Sequence, residues 1–347
     1  MTPEPVPLDL NRLRRALIPP DGRYSRMDLA ASTGSTNADL VAAAAVASGS
    51  PEAERWPDLS ALAAEEQLAG RGRLDRTWVS PPGSSMIVSV LLRPENAGKP
   101  LPFTAYSWLS LLAAIALIES VGDVAGVRAQ LKWPNDVLVN GRKVAGILAQ
   151  LASPKMTAAQ TAVSSSSAGP VVTAGPIVIV GTGVNVSQSP DELPVETATS
   201  LAIEGALTLD RNVLLPAYLD RFAALYLAFC AVDGDARRPL DGGESLLQRA
   251  TAAMVTLGTQ VRADLPGNRS IFGLAVGLDM TGSLLLLTDA SGTTHTVSAG
   301  DVVHLRRHVA GSPGGSGAAC DSAAASGPRE ANHSHRARGS GASSRYA

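Results

Sequence analysis

The spacing of apolar and polar positions predicts a chain that mixes helices and strands. Leu10, Leu13 and Leu17 recur at helical intervals and predict a short amphipathic piece over Leu10–Ile18. Ser32-Thr33-Gly34-Ser35-Thr36-Asn37 leads into an Ala-rich helix over Ala38–Ala47, with Thr36 and Asp39 spaced as a capping box. Ser60–Ala64 and Met86–Leu92 are short apolar runs that read as buried strands, the second closed by Pro94. Phe103–Ser120 reads as a core helix, and its most apolar stretch, Ala105–Ile118, is short for a bilayer crossing.

The next stretch runs Lys132-Trp133-Pro134-Asn135-Asp136-Val137-Leu138-Val139-Asn140-Gly141-Arg142-Lys143-Val144-Ala145-Gly146-Ile147-Leu148. Asn140-Gly141 between apolar runs predicts a hairpin with a two-residue turn. That turn sets Val139 opposite Arg142, Leu138 opposite Lys143, Val137 opposite Val144 and Asp136 opposite Ala145. Opposed residues share a face, so Asp136, Leu138, Lys143 and Ala145 fall on a cleft, while Val137, Val139, Arg142 and Val144 turn inward. Asp136 and Lys143 are diagonal neighbours, roughly 7–8 Å apart at Cα. The bland alternative is a solvated hairpin face with a weak ion pair.

Ile177–Val180 predicts a buried strand that ends in Gly181-Thr182-Gly183-Val184-Asn185. The third glycine of a dinucleotide fingerprint is missing, so a tight glycine turn presenting amides and Asn185 is expected. Asp210 caps a helix to about Ala231 that contains Pro216, and Glu244–Met254 is a short helix. Val261–Asp264, Ile271–Asp279, Ser283–Thr288 and Thr294–Ser298 are short strands with glycine turns, the pattern of a small SH3-type barrel. Leu151–Gly175 reads as a flexible low-complexity connection, and Ala310–Ala347 as a disordered tail.

Composition narrows the chemistry. The 347 residues suffice for two domains, and a net charge of −2 gives no general attraction to nucleic acid or anionic membrane. Cys230 and Cys320 make neither a disulfide framework nor a zinc site, which fits a reducing, cytoplasmic setting. All five histidines lie at or after His295, so most of the chain has no imidazole for base work. Chemistry must then rest on Lys, Arg, Asp, Asn and backbone amides, as in nucleotidyl or acyl-phosphate transfer.

Ala64–Trp78 is the stretch that fits that demand. Its Gly70-Arg71-Gly72-Arg73 core offers open amides beside guanidinium forks, an arrangement that holds carboxylate or phosphate. Trp78 supplies an aromatic face at the far end. Alone, such a run also fits a solvated turn or an RNA-binding segment. From their own stretch, Ser35, Thr36 and Asn37 read most simply as a helix cap.

Five stretches occur in the order and spacing of biotin protein ligases, and over about Met27–Arg306 the chain resembles that family. They are Ser35-Thr36-Asn37, the Gln67–Trp78 loop, Lys132–Asp136, Lys143–Gly146 and Gly181–Asn185. The resemblance implies an α+β fold: a central mixed β-sheet with flanking helices, of class II synthetase type, plus a small C-terminal SH3-like β-barrel. It implies a catalytic domain at 25–235 and a C-terminal domain at 236–307, between an N-terminal extension (1–24) and a tail (308–347). The implied reaction joins biotin and ATP into biotinyl-5′-AMP, then passes biotin to one lysine of a biotin-carboxyl-carrier domain. Lys143, Arg73, Lys132 and Asp136 are its implied catalytic residues. Ser35, Thr36, Asn37, Gln67, Gly70, Arg71, Arg73, Lys143 and Gly146 are implied for biotin. Arg71, Arg73, Trp78, Lys132, Asn135, Lys143 and Asn185 are implied for ATP, and Asp136 for Mg²⁺. The start of the chain shows no DNA-binding module, so neither DNA nor membrane is an expected partner, and monomer and homodimer both stay open. A lipoate or octanoyl ligase on the same fold is the alternative.

Overall fold

The computed structural model describes residues 5–45, 56–73, 76–152, 176–265, 269–288, 292–298 and 301–304. The expected connection at 153–175 and the tail from 308 lie outside these residues. The elements are α1 (Leu10–Leu17), β1 (Arg26–Ala30), α2 (Thr36–Ala44), β2 (Ser60–Ala64), β3 (Gly70–Arg71), β4 (Thr77–Trp78), β5 (Ser85–Leu92), β6 (Glu95–Asn96) and β7 (Lys99–Pro100). They continue with α3 (Trp108–Ala125), β8 (Gln130–Lys132), β9 (Asp136–Val139), β10 (Arg142–Ala152), β11 (Ile177–Asn185), α4 (Arg211–Ala231) and α5 (Leu246–Ala253). The C-terminal strands are β12 (Gln260–Leu265), β13 (Arg269–Leu278), β14 (Leu284–Leu287), β15 (Thr294–Val297) and β16 (Asp301–His304).

Seven strands form the central sheet in the order β1-β2-β5-β11-β10-β9-β8. Only β1–β2 is parallel, so the sheet is mixed. Side chains alternate between two covered faces. Val88, Val90, Val178 and Val180 join α1, α3 and α4 in the main core, whereas Leu62, Leu91, Ile177 and Ile179 pack on Leu40 and Ala44 of α2. α1 is part of this core: Leu13, Leu17 and Tyr24 are fully buried. α3 runs five residues past the expected end, to Ala125. With the 3-10 turn before it and with α4, it is long and apolar enough to cross a membrane by length and composition, but both segments are mostly buried.

Three local expectations need correction. Ser35, not Thr36, caps α2: its hydroxyl accepts from Ala38 N at 3.4 Å, while Asp39 takes the hydroxyl of Thr33. Thr36 is drawn one position inward because its own hydroxyl bonds in the core. Gly181–Asn185 is no turn: it continues β11, paired with β5 and β10 on either side. The strand β10 also ends later than expected, running through Leu151 and Ala152 into the expected connection.

The C-terminal strands form an antiparallel sheet in the order β15-β14-β13-β12-β16. Among the described residues its pairing stays open, because β16 joins β12 and not β15, so the expected barrel is an open five-stranded sheet. The segment around it holds the approach to the β9–β10 hairpin: Trp133 N donates to Thr256 Oγ1 at 3.0 Å, Trp133 Nε1 to Gly282 O at 2.9 Å, and Val255 N to Leu131 O at 2.9 Å.

Candidate active site

The hairpin register differs from the regular one in a way that builds the site. Arg142 pairs with Val139 and Lys143 with Leu138, but a bulge at Val144 then sets Ala145 opposite Val137 and Gly146 opposite Asp136. One extra residue inverts the alternation beyond it. Both Val144 and Ala145 are buried, and Gly146 replaces Ala145 on the face shared by Asp136, Leu138 and Lys143. The bulged strand is held from outside, where Lys143 N donates to Thr197 O and Thr199 N to Lys143 O, each at 2.8 Å.

A row of opposed residues therefore crosses four strands on one face: Lys132, Asp136, Gly146 and Gly183. Lys143 Nζ lies 2.5 Å from Asp136 Oδ1, and Lys132 stands opposite Asp136 in the β8–β9 register. The paired glycines form a bare floor beneath the Trp78 indole. A Cβ built on Gly183 would stand 2.8 Å from Trp78 Cε2, and one on Gly146 would meet Trp78 Cζ3 at 3.4 Å and Lys143 Nζ at 3.3 Å. Glycine is needed here for close approach, not for a left-handed backbone. Among the described residues the buried Trp78 Nε1 makes no hydrogen bond.

The Gly-Arg loop comes to the same place. β3 pairs with β4, setting Gly70 opposite Trp78 and Arg71 opposite Thr77. Arg73 Nη1 donates to Asn135 Oδ1 at 3.0 Å, and Asn135 Nδ2 donates to Ile147 O at 2.7 Å. The guanidinium of Arg73 thus reaches the turn that leads into the hairpin carrying Asp136 and Lys143.

At the other end of the face, Gln67 Oε1 accepts from Thr36 N at 2.8 Å and lies 2.9 Å from Thr36 Oγ1. Ser35 and Asn37 are buried, and Asn37 Nδ2 donates to Leu148 O and Gln150 Oε1. Arg71 is exposed. Asn185 does not present its amide to the cleft: it is buried, donating to Thr199 O at 2.9 Å and accepting from Gln188 Nε2. Among the described residues no three His, Cys, Asp or Glu side chains converge as metal ligands, and Asp136 offers one carboxylate already paired with Lys143. These side chains do not by themselves build a Mg²⁺ site.

Sequence reasoning missed the supports behind the site. Arg211, with its side chain 2% exposed, meets Glu65 Oε2 at 2.6 Å and also donates to Ser85 O and Val6 O. That pair fixes the strand end just before Gln67, and Leu8 N caps the other Glu65 oxygen. The distant His304 reaches Thr256, the hydroxyl that holds Trp133, at 3.2 Å. Burial, with Lys132 nearby, pushes the His304 pKa below its ordinary 6.5. The unfolded chain therefore takes up this proton before the folded one, and stability falls as pH drops through about 6.5. His304→Gln should flatten that acid slope in denaturant titrations at pH 7.5 and pH 5.5, and an unchanged slope would show that His304 does not cause it.

Known proteins resemble this chain in sequence and fold. The model of the Biotin/lipoate A/B protein ligase family matches residues 32–164, and that of the Biotin protein ligase C terminal domain matches residues 256–305. The biotin–[acetyl-CoA-carboxylase] ligase of Mycobacterium tuberculosis is 37% identical over 303 residues, covering 86% of this chain and 97% of the relative. The bifunctional ligase/repressor BirA of Bacillus subtilis is 33% identical over 67% of this chain, which spans 63% of that protein's length. Among solved structures, the biotin protein ligase of Aquifex aeolicus in complex with biotin and ATP superposes with a TM-score of 0.57 at 26% identity, covering 82% of this chain and all of that one. The chain belongs to the biotin protein ligase family, and it is an enzyme of ligase type.

Proposed function

We propose that this chain condenses biotin with ATP to biotinyl-5′-AMP and pyrophosphate, then transfers the biotinyl group to one lysine of a biotin-carboxyl-carrier domain of an acyl-CoA carboxylase. The observation that carries the reading is the convergence of Arg73 on Asn135, with Trp78 and Lys143 meeting over Gly146. Biotin's carboxylate must approach the α-phosphate, and two anions repel unless cations stand between them. Lys143 is the group at that junction, and Lys132 adds a second positive charge across Asp136. When phosphate arrives, Lys143 exchanges the Asp136 carboxylate for phosphoryl oxygen, and Asp136 is released next to the point where an acceptor amine must lose its proton. Trp78 covers the pocket from the loop side, where a closed loop keeps water from the acyl-adenylate.

Arg73→Ala is expected to spare the fold, because its contact with Asn135 is half-exposed, and to speed loss of the adenylate about tenfold. Stopped-flow release of biotinyl-5′-AMP reads this directly, and unchanged release would remove Arg73 from the closing loop. The substrate itself is tested by pyrophosphate release with biotin, lipoate or octanoate in turn. Turnover with biotin alone supports the reading, and turnover with lipoate or octanoate in its place favours the sister activity on this fold.

A further inference from the structure

A buried chain of oxygens that ends at Gln67 is short of one proton. It runs Gln67 Oε1, Thr36 Oγ1, Ser89 Oγ and Asn37 Oδ1, with successive separations of 2.9, 2.7 and 2.6 Å. Both ends have fixed polarity. Thr36 N–H donates to Gln67 at 2.8 Å, so the carbonyl oxygen of Gln67 faces it. Asn37 Nδ2 donates to the backbone carbonyl of Leu148 at 3.1 Å and to Gln150 Oε1 at 2.8 Å, so the oxygen of Asn37 faces Ser89. Three oxygen–oxygen contacts are thus served by two hydroxyl protons.

The shortage falls at the Gln67 end. Ser89 is fully buried and Asn37 is 5% exposed, so an unfilled contact there would leave lone pairs facing each other with no water to relieve them. Gln67 is half-buried, already has the Thr36 amide, and forms the longest of the three contacts. Ser89 therefore donates to Asn37 and Thr36 donates to Ser89, which leaves the outward lone pairs of Thr36 Oγ1 beside the Gln67 carbonyl. The sequence makes room for this arrangement: Gly181 lies directly opposite Ser89, and a Cβ built on it would overlap the Asn37 carboxamide.

We propose that Ser89, Asn37 and Gln150 are positioning residues that set Thr36 Oγ1 and Gln67 Oε1 as a paired acceptor for an N–H donor of the ligand. A cyclic urea supplies that proton, whereas the dithiolane of lipoate and the alkyl chain of octanoate have none to give. Ring selection is thereby decided two residues deep, at Ser89 and Asn37, before any contact with the acyl chain. The proposal rests on biotin being the acid that binds.

The test compares Kd values, by calorimetry on the full chain, for biotin and for analogues in which one or the other ureido N–H is replaced by oxygen. The wild-type chain should prefer biotin over at least one analogue by roughly a hundredfold, the cost of a buried acceptor left facing another acceptor. Ser89→Ala frees the Thr36 hydroxyl to turn outward and donate, so that preference should shrink at least tenfold, whatever happens to absolute affinity. Thr36→Val removes the acceptor itself and should shrink it likewise, which keeps the test open if Ser89→Ala does not fold. An undiminished preference in both variants, or in the one that folds, overturns the relay while leaving biotin as the ligand. A wild-type chain that binds no biotin would overturn the functional reading instead.

Discussion

Replacing Lys143 with methionine is expected to slow formation of biotinyl-5′-AMP by about 10²–10³-fold, the usual consequence of removing one preorganised charge from a transition state. The bulge at Val144 brings Gly146 onto the face that Lys143 shares with Asp136, and the Lys143 ammonium stands 2.5 Å from the carboxylate and beside the Trp78 ring. Methionine keeps the apolar stem and loses only the charge. Stability should change little, because the side chain is 36% exposed and a half-exposed ion pair contributes at most about 1 kcal/mol. The strand pairing of Lys143 uses backbone atoms that the substitution leaves alone. Single-turnover pyrophosphate release and a thermal melt of the same preparation separate the two effects. A normal rate in a folded Lys143→Met protein would take Lys143 out of the chemistry.

The second large effect is structural. Glu65→Ala should cost about 3 kcal/mol of folding stability, the low end for a buried charge left without its partner. Arg211 has its side chain 2% exposed and loses the 2.6 Å contact with Glu65, although its bonds to Val6 O and Ser85 O temper the loss. Leu8 N loses its acceptor as well, so the segment leading into α1 loosens together with the strand end that carries Gln67. Biotin affinity should therefore weaken alongside stability, although Glu65 touches no ligand. Denaturant titration and calorimetry on Glu65→Ala read both, and a variant as stable as the parent would show that Arg211 is solvated in solution.

How far the sequence disclosed this site depends on the kind of signal each part carries. Apolar runs identified the central strands, and Asn140-Gly141 identified the hairpin, because those patterns are local. The bulge at Val144 was hidden, since Val-Ala in a strand looks the same whether paired regularly or not. Gly181 and Gly183 suggested a turn because glycine weakens strands. Their reason lies across the fold, in Asn37 and Trp78, which occupy the space that side chains would fill. Asn185 read as a ligand group and proved to brace the Thr199 backbone, a partner 14 residues away that no spacing rule indicates. Ser89 was one small polar residue inside an apolar run. Only the opposed register of Gly181 shows why it is there.

The account stands on one claim, that the guanidinium loop and the ammonium hairpin act as a single centre that joins biotin to an acceptor lysine through an adenylate. Mass spectrometry of a purified biotin-carboxyl-carrier domain, after incubation with this chain, biotin and Mg-ATP, tests it most directly. One biotinyl group on one lysine of the carrier is expected, with AMP and pyrophosphate released, and formation of this product should be slower by about a hundredfold or more with the Lys143→Met chain. An unmodified carrier, or equal initial rates of modification by the wild-type and Lys143→Met proteins, would contradict it.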